Sequence, residues 1–176
     1  GIKSSFQLVP EKRYQVSDAD LARFRDRGFE VNVHDLNHDG HLYSNRDEFL
    51  RRVSKINQYA RSFGARGFRS GAMYRNLDWY DAFEFSYDMS VPNVGHLEAQ
   101  GGGCCSIRPY FINGMVELPL TTTQDYSLFN ILGDYSIDIW KQQIQTILKQ
   151  SGLITFIIHP DYIMERKAQE TYKALL

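Results

Sequence analysis

Strand-like runs alternate with helix-like runs along most of this chain, and that alternation limits its fold more than any other feature. Residues 2–9 form an apolar, β-leaning run closed by Pro10. Ser17 is a suitable N-cap for a helix through Arg27, with Gly28 as its C-terminal stop. Phe29, Val31 and Val33 then alternate with polar residues as a strand does. Ser44 with Asp47 resembles a capping box, and Phe49, Leu50, Val53, Ile56, Tyr59 and Ala60 keep helical spacing up to a stop at Gly64. Further on come short strands at 67–69, 85–88 and 115–118 and a short helix at 77–83. A helix at 136–150 carries Ile137, Ile139, Trp140, Ile144, Ile147 and Leu148 on its inner side. A buried strand at 153–158 and a helical tail from Tyr162 follow it. Residues 89–113 form a long connection rich in Gly, Pro and Asn, a length that usually serves a function or stays disordered. Repeated β-α units predict an α/β fold on a parallel sheet, either doubly wound or closed as a barrel. Nothing marks a repeat, linker or boundary, so residues 1–176 read as a single domain with a sizeable core.

Charge and composition remove several classes of partner. A net charge of -1 gives no footing for nucleic acid or an anionic membrane surface, both of which favour a basic excess. No apolar run approaches the ~20 residues of a transmembrane helix. The first residues read as a strand and not as a leader, and the chain starts without Met. Cys104 and Cys105 are adjacent, which argues against a disulfide framework and for a buried structural role.

In parallel α/β folds ligand sites gather at the C-terminal ends of the strands. His34, Arg69, Asp88 and His159 fall at or just past such ends, and Glu117 lies near one, so these residues are expected to converge on one face. His34 and His38 stand four residues apart where a strand runs out, beside carboxylates. Imidazole is the commonest zinc ligand among side chains, and a catalytic zinc takes about three protein ligands and an open position. Two surface histidines in a polar turn are the plain alternative. A second alternative is a calcium loop, because residues 35–42 place oxygens at Asp35, Asn37 and Asp39 and glycine at Gly40. Arg46 then stands where the bidentate Glu belongs, and a strand enters where a helix should.

His159 ends a strongly apolar run and suits a general acid, or else a strand-end histidine bonded to backbone. Arg69 could orient a carboxylate through a bidentate pair, or lie on the surface. Asp88 and Glu117 could be ligands, orienting groups or substrate contacts; for Asp88 a turn hydrogen bond is the simpler role. Trp79, Tyr80 and Trp140 read as core. Neither a phosphate-binding glycine motif nor a Gly-x-Ser-x-Gly nucleophile elbow occurs.

In order and spacing these segments resemble the NodB-homology polysaccharide deacetylases, carbohydrate esterase family four. The family's metal-binding motif His-(Ser/Thr)-x-x-His is similar to His34-Asp35-Leu36-Asn37-His38, with Asp35 in the hydroxyl position. Its Arg-x-Pro-(Tyr/Phe) motif is matched by Arg69, without the proline. Its apolar strand ending in a catalytic histidine resembles Leu153 through His159 and Pro160. The segments Tyr87-Asp88-Met89-Ser90 and Glu117-Leu118-Pro119 resemble a more divergent branch. The family's first motif, Thr-Phe-Asp-Asp, has no copy here, although it supplies the catalytic base and a metal-binding Asp.

That resemblance implies a distorted (β/α) barrel lacking its first strand and helix, in a chain truncated at its N-terminus. It implies a divalent metal, most simply zinc, held by His34 and His38, and a polysaccharide or glycan as substrate. The reaction would be hydrolysis of an N-acetyl group, with His159 as general acid, Arg69 orienting the base, and Asp88 and Glu117 touching substrate. A catalytically inactive relative that binds a glycan in the same fold is the competing expectation.

Overall fold

A computed structural model describes residues 2–12 and 14–176, arranged as two compact units. The first comprises the chain through Ser90 together with Tyr110–Glu117; the second comprises Val91–Pro109 and Leu118–Leu176.

The first unit holds a six-stranded sheet built from β1 (Ser5–Leu8), β2 (Glu30–His34), β3 (Gly67–Arg69), β4 (Tyr87–Asp88), β5 (Tyr110–Ile112) and β6 (Met115–Glu117). The strand order is β1-β2-β3-β4-β6-β5, parallel throughout except for the β5–β6 hairpin. Helices α1 (Asp18–Asp26) and α2 (Arg46–Phe63) supply the crossovers expected between β1, β2 and β3. Ser17 caps α1 in a capping box with Asp20. The cap of α2 is Asn45, whose side chain accepts from the Glu48 backbone N–H, one residue later than the box expected at Ser44. Gly64 ends α2 at φ 55°, a left-handed conformation that costs glycine little.

Residues at Phe49, Val53, Ile56, Ala60 and Phe63 line one face of α2 and pack on Val31, Val33 and Phe68 of the sheet. Strand alternation turns Asn32 and His34 to the other face. Residues paired across a parallel ladder share a face, so His34 goes with Arg69, whereas Asp88 and Glu117 go with Phe68.

The single connection expected at 89–113 is broken by β5 and its hairpin with β6. Asn113 and Gly114 both take positive φ, at 45° and 85°, and this Asn-Gly pair turns β5 back along β6.

The second unit contains α3 (Asp138–Lys149), α4 (Arg166–Leu175) and an apolar cluster around Leu128, Phe129, Trp140 and Ala168. Trp140 is wholly buried and its indole N–H donates to the Thr123 carbonyl at 2.6 Å. Leu148 is 59% exposed, so the buried stripe of α3 is narrower than its spacing suggested. The strand expected at 153–158 does not form a ladder. Threonine side chains replace the ladder bonds. Thr121 Oγ1 accepts from Thr155 N and donates to the Leu153 carbonyl, while Thr155 Oγ1 accepts from Thr121 N and donates to the Pro119 carbonyl. Thr122 Oγ1 donates to the Thr155 carbonyl at 2.7 Å.

Neither cysteine is buried as expected: both are free thiols, Cys104 half-buried and Cys105 exposed. No described helix is long and apolar enough to cross a membrane.

Candidate functional site

The loop after β2 is built by backbone geometry first. Asp35 N–H donates to the Arg69 carbonyl at 2.9 Å, extending the β2–β3 contact by one residue. The chain then turns through left-handed conformations at Asp35 and His38, both at φ 56°. This brings the two imidazoles edge to face, with ring centroids 4.7 Å apart. His34 Nδ1 lies 3.0 Å from the Arg69 carbonyl. In the neutral ring that contact puts the proton on Nδ1 and the lone pair on Nε2, the arrangement that suits a metal ligand.

The carboxylates of the loop have partners of their own. Asp35 is buried, accepts from Leu36 N–H at 2.7 Å, and sits so close to Gly71 that an added Cβ there would lie 2.4 Å from its Oδ2. Burial pushes the Asp35 carboxyl above its ordinary value, against the Leu36 hydrogen bond and the nearby His38. Asp39 Oδ1 and Oδ2 accept from Arg52 Nη1 and Nη2 at 2.6 and 2.9 Å, and Asn37 Oδ1 accepts from the same Nη1 at 3.0 Å. These bonds hold the Asp39 carboxyl well below the usual range. The donor chemistry of His34 and His38 fits a divalent cation, but the set is incomplete: among the described residues no cluster of three or more His, Cys, Asp or Glu could hold a metal.

Arg69 shares the sheet face of His34. Its Nε donates to the Met89 carbonyl at 3.0 Å, and burial lowers its pKa to about 10 against the opposing charges of Asp88 and Glu117. Asp88 is fully buried and accepts from Ser90 N–H at 2.9 Å and Ser90 Oγ at 2.7 Å, the turn bond that was the simpler expectation. Glu117 is fully buried beside it in the ladder. Both carboxylates lie on the apolar side of the sheet with no exposed surface, so substrate contact by Asp88 and Glu117 does not fit their positions.

In the second unit His159 has a partner that sequence reading missed. Asp125, fully buried, accepts from the His159 backbone N–H at 2.5 Å and faces Nδ1 of the ring at 2.7 Å. The carboxylate also accepts from Tyr126 N–H at 2.8 Å. His159 itself is 36% exposed, and Tyr162 packs edge-on against its ring at 5.0 Å between centroids. Nothing local links Asp125 to a histidine 34 positions later; its only signal is a carboxylate following a polar threonine run. The histidine is therefore fixed at Nδ1, and Nε2 is the nitrogen left to exchange a proton.

No family model matches the chain, and no curated protein matches it. Solved structures do. A Mycobacterium smegmatis protein named as a candidate polysaccharide deacetylase superposes with a TM-score of 0.67 at 16% identity, over 89% of this chain and 58% of that one. The Xyl-CE4 domain of a multidomain xylanase from the hindgut metagenome of Trinervitermes trinervoides matches at a TM-score of 0.40 and 16% identity, over 92% and 77%. The first likeness shows the fold: a parallel-rich α/β sheet of the polysaccharide-deacetylase type, as the motifs led one to expect. The chain spans 58% of that neighbour's length.

Proposed function

We propose that this chain forms part of a metal-dependent hydrolase that removes N-acetyl groups from a polysaccharide or other glycan. The observation that carries the reading is the grip of Asp125 on both the backbone and the ring of His159. A buried carboxylate holding Nδ1 of a half-exposed imidazole is the arrangement of a general acid. It occurs in a fold shared with a protein named for deacetylation.

The roles follow from chemistry. His34 and His38 would hold the cation, which when bound polarises an acyl carbonyl and acidifies water. His159 carries a proton on Nε2 and delivers it to the departing amine, while Asp125 holds the ring in place at Nδ1. Arg69 supplies positive charge on the face of His34. Asp88 and Glu117 serve this scheme as buried counter-charges to Arg69 and not as substrate contacts.

The incomplete donor set supports a second reading, a glycan-binding relative without catalysis. Two assays separate them. Zinc titration of the chain should show binding that the His34→Ala, His38→Ala double variant loses; unchanged stoichiometry in that variant would end the metal assignment. Acetate release from N-acetylated oligosaccharides should be slight for residues 1–176 alone, and should appear in a longer polypeptide that supplies an Asp-Asp pair upstream. Absence of release from the longer protein, with zinc bound, favours the binding module.

A further inference from the structure

The segment Asp35-Leu36-Asn37-His38-Asp39-Gly40 has the oxygens of a calcium loop, yet Arg52 of α2 has its guanidinium among them. Its side chain is 7% exposed. Nη1 and Nη2 grip both oxygens of Asp39, Nη1 also reaches Asn37 Oδ1, and Nε donates to Glu48. Asn37 and Asp39 are the immediate neighbours of His38, which takes φ 56°, a conformation that a non-glycine residue adopts at some cost. The guanidinium thus clamps the peptide on both sides of the residue that needs holding. Asp39 Oδ1 also accepts from the His41 N–H at 2.9 Å, which stiffens the exit of the loop. Glu48 is anchored in turn, since its backbone N–H is bound by the Asn45 cap and its carboxylate by Arg51.

We infer that Arg52 is a built-in cation that occupies the place of calcium in this loop and positions His38 as a ligand. The inference rests on His34 and His38 being a metal pair, and makes Arg52 a positioning residue. The planar fork of Arg matches a carboxylate and a neighbouring amide together; the point charge of Lys does not. The loop has no use for calcium, because the oxygens of Asn37 and Asp39 are already engaged.

The test compares wild type with Arg52→Lys and Arg52→Met, measuring zinc affinity by competition with a chelator. It also follows the His38 ring resonances and amide exchange at residues 37–41 in metal-free protein, with melting temperature as a control. Arg52→Met should weaken zinc binding by about 10–100-fold, the usual range for groups that support a ligand. Arg52→Lys should recover only part of it. In metal-free Arg52→Met the His38 resonances should broaden and the 37–41 amides should exchange faster, while core amides of α2 keep their protection. Millimolar calcium should leave wild-type resonances unmoved. Unchanged zinc affinity and unchanged His38 resonances in Arg52→Met would overturn the inference, as would saturable calcium binding by wild type. If wild type binds no zinc, the metal reading fails by itself, and the metal-free resonances still decide whether Arg52 holds His38.

Discussion

The two units hold their candidate imidazoles by different means. In the first, the His34 ring is tied to a backbone carbonyl of the adjacent strand, and His38 sits in a strained turn braced by Arg52. In the second, His159 ends a segment with no ladder of its own, and side chains do the holding: Asp125 for the histidine, threonines for the segment that leads to it. A carbonyl partner at Nδ1 puts the lone pair of a neutral imidazole on Nε2, the nitrogen that can meet a metal. A carboxylate partner at Nδ1 orients the ring and leaves Nε2 as the nitrogen that can pass a proton. On the proposed reading, the difference in partner matches the difference in role.

The largest effect should come from breaking the second arrangement. In a protein with measurable acetate release, His159→Ala should lower the rate by about 10²–10⁴-fold, the usual contribution of general acid–base catalysis. The loss should fall on kcat more than on KM, because the ring acts on charge that develops at the leaving nitrogen. Asp125→Asn should also depress kcat; a wild-type rate for either variant would remove the second unit from the chemistry.

Next in size is the threonine lacing. Thr155→Val keeps the shape of the side chain but leaves Thr121 N–H and the Pro119 carbonyl without their partner. The expected cost is about 1–3 kcal/mol in urea unfolding, from buried polar groups left unpaired. A smaller change in the midpoint than that of a surface Thr→Val control would mean that the lacing contributes nothing. The corresponding change in the first unit is Gly71→Ala, which drives a methyl to within 2.4 Å of the Asp35 carboxylate. Zinc affinity should fall, with a smaller fall in stability than Thr155→Val produces, because the exposed side of the loop can shift.

The smallest effect is a pH dependence confined to the first unit. Arg52 holds the folded-state pKa of Asp39 below its unfolded value of about 4, so its contribution is complete above that value and is lost as pH falls through the folded one. Asp35 has the opposite sign. Burial raises its folded pKa, so its ionisation weakens the fold as pH rises through that value. Asp39→Asn should therefore flatten the acid limb of a melting-temperature profile, and Asp35→Asn the decline as pH rises above it. Asp39 is a third exposed, and solvent screening keeps its part modest.

Much of the first unit was legible in the chain. Capping at Ser17, the stop at Gly64 and the stripe from Phe49 to Ala60 are local signals, and they set α1 and α2 between parallel strands. The Asn113-Gly114 turn was equally local, and its hairpin was missed only because a long Gly-rich connection surrounded it. His34 and His38 were visible because four residues of loop suffice to bring them together.

What the sequence by itself determined was the set of groups whose partners lie within a turn or a strand register: the β-α order, the caps, and the imidazole pair. Only the tertiary structure decided the rest. It put Arg52 into the loop of His38, turned Asp88 and Glu117 to the apolar face, and joined Asp125 to His159 across 34 residues. The reason is physical. Local signals reflect steric and hydrogen-bonding preferences that act over a few residues, whereas a buried charge takes whichever partner the packed chain brings within about 3 Å. No spacing in a linear sequence records that meeting.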